Sequence, residues 1–201
     1  MAGWSVLTGL CVALPMPGID TDQIIPARFM STPRADGYGR FLLHDQREAA
    51  GGAHPLDLHP GAVALIAGPN FGVGSSREAA VYALVDFGVR AVIAPSFGDI
   101  FAANAANNGL APLKMAGGDA ARLSAALAQG AGPIRIDLGA GIAEAGGMSA
   151  PFDLPAPWRA KLINGWDDID LTLADAARIA AYGAARRAAM PWAWPAAPPD
   201  P

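Results

Sequence analysis

A glycine-rich turn between a buried strand and a helix constrains the fold of this chain more than any other feature. Residues 63–67 are a short, wholly apolar run, which is typical of a strand covered on both faces of a sheet. Residues 70–78 form the turn, which we call the serine turn, and apolar residues then recur at helical spacing over 77–87. Residues 91–94 predict the next strand. A strand, helix, strand unit predicts an α/β fold with parallel strands in its middle.

The rest of the chain predicts further elements on both sides of this unit. Residues 7–25 are apolar pieces broken by proline and glycine, which indicates a β-rich start with antiparallel pairing. Residues 29–60 have little periodicity and predict a long functional loop. An alanine-rich helix is expected over 119–129, with Asp119 as its N-cap, and residues 134–138 alternate like a strand.

The C-terminal part predicts one helix followed by an irregular tail. Thr172 and Asp175 have capping-box spacing, and the apolar periodicity that they open continues to Met190. Residues 191–201 contain five prolines and two tryptophans and are incompatible with a regular helix. We therefore expect a single domain over residues 1–190 and a proline-rich tail over 191–201.

Composition excludes several classes of protein. Hydrophobic residues make up 52% of the 201 residues and charged residues 16%, as in folded globular proteins. The formal net charge of −4 argues against nucleic acid or an anionic membrane as the partner. Neither a long apolar run nor a basic, apolar leader is present in the sequence, so we expect no membrane association and a cytoplasmic location.

The cysteine and histidine content argues against a metal centre within the chain. Cys11 is the single cysteine, and the three histidines, His44, His54 and His59, do not have the spacing of a zinc site. An iron–sulfur cluster needs several thiolates from the protein that holds it. We expect no metal ligands in this chain.

The serine turn has the properties of an anion site. The first N–H groups of a helix lack internal partners and form its positive end, so Ser75 and Ser76 before a helix favour a bound anion. Arg77 adds a two-pronged donor for a carboxylate, while Gly72 and Gly74 allow the backbone to approach a ligand. Phosphate-loop, dinucleotide and hydrolase-elbow patterns are absent from the turn. The alternative is that a serine only caps the helix and Arg77 lies on the surface.

Six motifs occur in a fixed order along nearly the whole chain. They are residues 18–26, 39–45, 70–78, 93–101, 107–110 and 169–173. In these motifs the chain resembles the small subunits of 3-isopropylmalate dehydratase, which are related to the swivelling C-terminal domain of aconitase.

The resemblance implies a β/β/α swivelling domain that docks on a large subunit with a [4Fe–4S] cluster. It implies a hydro-lyase of leucine biosynthesis that isomerises 2-isopropylmalate and 3-isopropylmalate, small dicarboxylates, by dehydration and rehydration. The open iron of the cluster would act as the Lewis acid for the departing hydroxyl. Two alternatives stay open: a sister dehydratase for another alkylmalate or dicarboxylate, and a non-catalytic paralogue that only binds a partner.

The resemblance also assigns roles at the serine turn. Ser75 matches the proposed catalytic base, and Arg77 matches the arginine that holds a substrate carboxylate. Gly74 and Ser76 are expected to line the bound substrate on either side of Ser75.

Four more residues are predicted to bind substrate. Asp20 and Asp22 present two carboxylates near the expected site, although an Asx-turn would explain them equally well. Arg28 and Arg34 lie in the segment that resembles the family's substrate-selecting loop, although most loop arginines are simply solvated.

The serine turn departs from the family pattern at two places. Val73 stands where the family commonly has cysteine, and Ala79 and Ala80 stand where a histidine is expected. If that imidazole orients catalytic groups, its absence predicts a changed substrate, a slower enzyme or an inactive paralogue. Val73 is the milder change, because a packed cysteine behaves as a small apolar residue.

Overall fold

Seven strands form one mixed sheet in the computed structural model, which describes residues 2–127 and 130–194. In chain order the strands are β1 (Val6–Leu14), β2 (Ala62–Ala67), β3 (Ala91–Ala94), β4 (Ala111–Lys114), β5 (Ala131–Asp137), β6 (Ile142–Ala145) and β7 (Met148–Pro151). Their spatial order is β4-β3-β2-β1-β5-β6-β7.

Strand β1 joins a parallel half of the sheet to an antiparallel half. It runs parallel to β2, with Val12 opposite Leu65, and antiparallel to β5, with Leu7 opposite Ile136. The parallel pairing of β2, β3 and β4 confirms the predicted strand, helix, strand unit. The predicted antiparallel start is only half right, because residues 7–25 contain one strand and its antiparallel partner comes from β5.

Helices cover both faces of the sheet. Successive residues of β2 point to opposite sides, so that Leu65 joins the core beneath one set of helices and Ile66 the core beneath the other. Both clusters consist of buried residues, and this burial of apolar surface is the main force that holds the layers together. The helices are α1 (Thr21–Ile24), α2 (His44–Ala49), α3 (Pro55–Leu58), α4 (Glu78–Phe87), α5 (Asp99–Asn107), α6 (Gly117–Ala126), α7 (Ala156–Asn164), α8 (Asp168–Leu173) and α9 (Ala176–Ala189).

Helix α4 follows the serine turn and supplies part of the first core. Its inner face buries Ala80 and Leu84 against β2 residues such as Leu65, together with Phe101 of α5. The helix ends at Phe87, as the apolar periodicity over 77–87 predicts, and Gly88 is its C-cap. The second core, on the other face of the sheet, contains side chains of α6 and α7.

The predicted N-cap of α6 is wrong. The helix begins at Gly117 with Ala116 at the cap position, and Asp119 is its third residue. Asp119 forms an ion pair with Arg122 and lies in the first turn, where a carboxylate suits the helix dipole. The predicted end near Gln129 falls on residues 128–129, outside the described part of the chain.

The predicted C-terminal helix is two helices, and its capping box lies five residues earlier than expected. The Asp167 carboxylate accepts a hydrogen bond from the Asp170 N–H at 2.8 Å, and the Asp170 carboxylate accepts one from the Asp167 N–H at 3.1 Å. These bonds start α8, whereas Thr172 lies inside that helix and Asp175 precedes α9 without a capping bond. Several acidic residues at similar spacing made the true cap hard to recognise in the sequence.

The proline-rich tail is described only as far as Trp194. Pro191–Ala193 form a single 3-10 turn, and residues 195–201 lie outside the described residues. The division into a domain over 1–190 and a tail stays a prediction. Within residues 2–127 and 130–194, no helix is long and apolar enough to cross a membrane.

Candidate active site

Three loops meet at the edge of the sheet where β1, β2 and β3 end. The loop after β1 meets the serine turn through a hydrogen bond from the Gly72 N–H to the Ile19 carbonyl, at 2.7 Å. The serine turn meets the loop after β3 through the Phe71 N–H and the Ser96 carbonyl, at 3.1 Å, and through the Gly98 N–H and the Phe71 carbonyl, at 2.9 Å. The carboxyl edge of parallel strands is where ligands of open α/β sheets bind.

Gly72 lets the serine turn lie directly on α5. Its φ of 71° is in the left-handed region, and a Cβ at this position would lie 2.2 Å from the Cγ of the buried Phe101 ring. Any side chain here would push the turn away from α5. The glycine that was expected to allow ligand approach therefore serves the approach of two protein segments.

The short segment at α1 holds the middle of the serine turn. Asp20 and Val73 form a parallel β-bridge, and the Thr21 N–H donates to the Val73 carbonyl at 3.0 Å. The Thr21 hydroxyl donates to the Ser75 carbonyl, also at 3.0 Å. Residues 20–22 and 73–77 are therefore brought together, although more than fifty residues separate them in the chain.

Asp20 is a helix cap in this arrangement. Its carboxylate accepts a hydrogen bond from the Gln23 N–H at 2.7 Å, and the Gln23 side chain accepts one from the Asp20 N–H at 3.0 Å. This reciprocal capping box starts α1. The Asp20 carboxylate is thus engaged by its own helix, one residue before Thr21.

Arg77 and Asp22 form an ion pair beside the turn. The Nη1 of Arg77 contacts a carboxylate oxygen of Asp22. The Arg77 side chain is 18% exposed and that of Asp22 is 55% exposed, so the guanidinium is partly desolvated while its partner faces solvent. Partial burial strengthens the attraction of a cation for an anion relative to open water.

The alternative role of the serines as helix caps does not hold. Arg77 occupies the N-cap position of α4, where the cap has no side-chain hydrogen bond. Ser75 and Ser76 precede it and are both exposed. Ser75 therefore lies just before the positive end of a ten-residue helix, and its hydroxyl is not used to start that helix.

Arg28 forms an ion pair with Asp45 of α2. Hydrogen bonding to this guanidinium holds the pKa of Asp45 below its usual value, and the contact of Asp45 with His44, at 3.2 Å, acts in the same direction. The guanidinium also lies 4.6 Å from the centre of the Phe29 ring. These contacts attach Arg28 to the loop and α2, and its predicted contact with substrate stays a prediction.

Arg34 is held at the far end of α4. Its Nη1 and Nη2 donate to the two carboxylate oxygens of Asp86, at 2.5 and 2.8 Å, and its guanidinium lies 4.4 Å from the centre of the Tyr82 ring. Asp86 is nine residues beyond Arg77, a rise of about 13 Å along a helix. The structure therefore does not bring Arg34 to the serine turn.

The positions where the family histidine is expected belong to the core. Ala79 is 8% exposed and Ala80 is fully buried, and both lie in the apolar cluster between α4 and the sheet. An imidazole on this face would enter that layer. The histidine is therefore replaced by alanine at a packing position of this chain.

Sequence reasoning missed Thr21. Its side chain is 2% exposed and is one of the few buried polar groups in the described residues. The sequence signal was present, because Thr21 stands between the two aspartates that were selected. Its importance became visible only through its contact with Ser75.

The residues of this chain do not fit an iron–sulfur cluster. Cys11 lies within β1 with none of its surface exposed, and burial raises the pKa of its thiol to about 12. The thiolate is the form that binds metal, and a cluster needs several of them. Among residues 2–127 and 130–194, no group of three or more histidine, cysteine or acidic side chains is arranged to hold a metal ion.

Two family models match different parts of the sequence. The aconitase C-terminal domain matches residues 1–118, which contain the parallel strands and the serine turn. The C-terminal domain of the 3-isopropylmalate dehydratase small subunit matches residues 168–195, which contain α8 and α9. The fold and the site thus define an aconitase-type C-terminal domain, which confirms the predicted fold class.

Relatives cover almost the whole chain. A 3-isopropylmalate dehydratase small subunit from Rhodospirillum centenum is 44% identical over 96% of this chain and 99% of its own length. One from Shewanella baltica is 43% identical over 90% of this chain and 96% of its own length. A 3-isopropylmalate dehydratase from Methanocaldococcus jannaschii, known from its crystal structure, is 26% identical to this chain, with a TM-score of 0.66. The match covers 89% of this chain and 99% of that one. The chain belongs to the family of 3-isopropylmalate dehydratase small subunits.

Proposed function

We propose that this chain is the small subunit of a hydro-lyase that isomerises 2-isopropylmalate and 3-isopropylmalate in leucine biosynthesis. The observation that carries the proposal is the meeting of Ser75, Arg77 and Asp22 at the carboxyl edge of the parallel strands. The likeness to small subunits over nearly the full chain supports the substrate and the reaction.

Arg77 binds one carboxylate of the substrate. A guanidinium presents five N–H donors, and Asp22 contacts Nη1. We therefore assign to Asp22 the orientation of the guanidinium, and to the remaining donors the substrate carboxylate. When a proton leaves the carbon beside a carboxylate, negative charge builds up on that carboxylate. The interaction with Arg77 then becomes stronger in the transition state than in the ground state, which is the condition for catalysis.

Ser75 is the group that takes this proton. A serine hydroxyl is a weak base unless its alkoxide is stabilised. The positive end of α4 and the nearby Arg77 supply two sources of stabilisation at this place in the fold. Gly74 and Ser76 flank Ser75 on the exposed side of the turn, where they line the substrate.

The iron–sulfur chemistry of this reaction belongs to a second protein. The donor set of this chain does not fit a cluster, and the relatives are named as small subunits. We therefore assign the [4Fe–4S] cluster to a large subunit that this chain binds.

The non-catalytic alternative depends on the missing histidine. Because Ala79 and Ala80 are packed in the core, that substitution changes the interior of α4 and leaves Ser75, Arg77 and Asp22 together. The geometry therefore favours a working subunit.

The test is to assemble the chain with its large subunit and to measure both isomerisation and hydration of the unsaturated diacid. In Ser75→Ala we expect kcat to fall by roughly 10²- to 10⁴-fold, the usual contribution of a positioned base, with assembly unchanged. Arg77→Lys keeps the charge but loses the planar fork, so we expect a higher KM and a lower kcat. Ser149→Ala, at an exposed serine of β7, is the matched control.

Two outcomes would contradict the proposal. If the wild-type assembly turned over neither isopropylmalate, the proposed reaction would be wrong. If Ser75→Ala were as active as Ser149→Ala, Ser75 would not be the base. Other alkylmalates offered to the same assembly test the alternative of a sister substrate.

A further inference from the structure

We propose that Thr21 is a positioning residue that fixes the place of Ser75 in the serine turn. The inference rests on the proposed role of Ser75 as the base. Thr21 itself needs no contact with substrate, because it acts on the backbone on both sides of the residue that reacts.

Thr21 donates two hydrogen bonds to carbonyl groups of the serine turn, one before Gly74 and one after it. The Thr21 N–H binds the Val73 carbonyl, which fixes the peptide plane between Val73 and Gly74. The Thr21 hydroxyl binds the Ser75 carbonyl, which fixes the plane between Ser75 and Ser76. Only the backbone dihedrals of Gly74 and Ser75 lie between the two fixed planes, so the direction of the Ser75 side chain depends on this pair of bonds.

The turn needs such support because of its composition. Gly74 has a φ of 99°, and glycine has more backbone freedom than any other residue. A Cβ at Gly74 would lie 3.4 Å from the Thr21 hydroxyl oxygen, so Thr21 also lies directly against this part of the turn. Ser75 and Ser76 are exposed, so burial in the core does not hold them.

Thr21 is itself held firmly. It is the first residue of α1, which is started by the capping box of Asp20 and Gln23, and its carbonyl accepts a hydrogen bond from the Ile25 N–H at 3.0 Å. Its side chain is 2% exposed. The pair of hydrogen bonds, which we call the threonine clamp, therefore connects an exposed, glycine-containing turn to a buried and capped point of the fold.

The test compares three variants in the assembled enzyme. Thr21→Val keeps the shape of the side chain and the backbone N–H but removes the hydroxyl. Thr21→Ser restores the hydroxyl. Thr172→Val is the matched control, because the Thr172 hydroxyl donates a similar hydrogen bond to the Asp168 carbonyl, at 2.8 Å, within α8.

We expect Thr21→Val to lower kcat by about 10- to 100-fold, since small displacements of a catalytic group have effects of this size. KM should stay within about twofold, because the carboxylate contact of Arg77 is retained. Thr21→Ser should recover most of the lost kcat, and Thr172→Val should behave like the wild type. Because Ser75, whose carbonyl loses its donor, is exposed to water, the melting temperature should change little.

A second measurement tests the threonine clamp without turnover. Backbone ¹⁵N order parameters of Gly74, Ser75 and Ser76 in the free chain should fall toward flexible values in Thr21→Val and stay high in Thr21→Ser and Thr172→Val. Unchanged order parameters in Thr21→Val would overturn the threonine clamp. Unchanged kcat in Thr21→Val within an active assembly would overturn its role in positioning Ser75.

These outcomes separate the inference from the proposed function. An inactive wild-type assembly contradicts the function, and with it the catalytic meaning of the threonine clamp, whereas the order parameters still decide whether Thr21 holds the turn. An active wild-type assembly with an unaffected Thr21→Val supports the function and contradicts the inference.

Discussion

Helices α4 and α9 are held in place by different forces. Helix α4 has ten residues, of which five are buried, and its first turn adjoins the serine turn. Helix α9 has fourteen residues and none of them is buried. Its contacts are local ones, such as the ion pair of Asp175 with Arg178 and the Arg187 guanidinium 4.8 Å from the centre of the Trp194 ring.

The comparison shows where tertiary packing is needed. A helix of about 12 to 15 residues is marginal in water unless it packs against something, even when it is rich in alanine. Helix α9 therefore depends on intrinsic propensity, on the favourable dipole position of Arg186 and Arg187 in its last turn, and on its short-range contacts. Helix α4, which carries Arg77 at its cap, is fixed by the core, so the site is positioned by a well-packed part of the molecule.

The largest effect is expected from removing a buried apolar side chain of α4, and an exposed apolar side chain of α9 is the comparison. Leu84→Ala empties a fully buried position of α4 and should lower the free energy of unfolding by about 2 to 5 kcal/mol. Ile179→Ala on α9 removes a side chain that is 52% exposed and should change it by less than about 0.5 kcal/mol. Urea denaturation monitored by tryptophan fluorescence measures both. Equal effects of the two substitutions would contradict the contrast between the helices.

A smaller effect on the free energy of unfolding is expected at mildly acidic pH, and it should not involve α9. The Nδ1 of buried His54 accepts a hydrogen bond from the Leu56 N–H at 3.2 Å and caps α3. Burial lowers the pKa of His54 from its ordinary 6.5, and Arg47 lowers it further, while Asp57 opposes the shift. The unfolded chain therefore binds a proton more readily than the native one. The contribution of neutral His54 to the free energy of unfolding is therefore complete above pH 6.5. It is lost as the pH falls through the pKa of His54 in the folded protein.

His54→Asn tests this origin of the acid sensitivity. Asparagine can still cap α3 but does not titrate, so the loss of unfolding free energy as the pH falls below 6.5 should be smaller than in the wild type. Denaturation curves at several pH values measure the slope. Hydrogen exchange of α9, which contains no histidine, should not follow the His54 titration. An identical slope in both proteins would exclude His54 as the source.

The most local effect is expected from a glycine within α9. A Cβ added at Gly183 would point into open space, so alanine fits there without a clash. Gly183→Ala should raise the local stability of α9 by roughly 0.5 to 1 kcal/mol through helix propensity alone. Hydrogen exchange of α9 should slow, while the midpoint of urea unfolding of the rest of the chain stays constant. A shift of that midpoint would show that α9 is coupled to the core after all.

Some of the site was readable in the sequence because it is local. The run from β2 through the serine turn to α4 and β3 is continuous in the chain, and strand, glycine turn and helix each follow from neighbouring residues. Gly74, Ser75, Ser76 and Arg77 lie within that run. Cap positions were less readable, since Asp119 and Thr172 have suitable neighbours but lie inside their helices.

The pairing of the charged residues could not be read from the sequence. Arg34 and Asp86 are 52 residues apart, and Arg77 and Asp22 are 55 apart. No local rule selects one carboxylate for a given arginine over such distances. The choice is made when packing of the helices against the sheet brings one pair within contact and separates the others.

Local sequence was enough to set the strand, helix, strand order of β2, α4 and β3, the position of the serine turn between β2 and α4, and the family to which the motifs point. Tertiary packing was needed to bring Thr21 and Asp22 against the serine turn, to hold Arg34 at the other end of α4, and to turn residues 79–80 toward the core. Helices, turns and strands follow from interactions between near neighbours. A site assembled from three loops depends instead on the burial of apolar surface, which fixes the sheet and brings distant segments together.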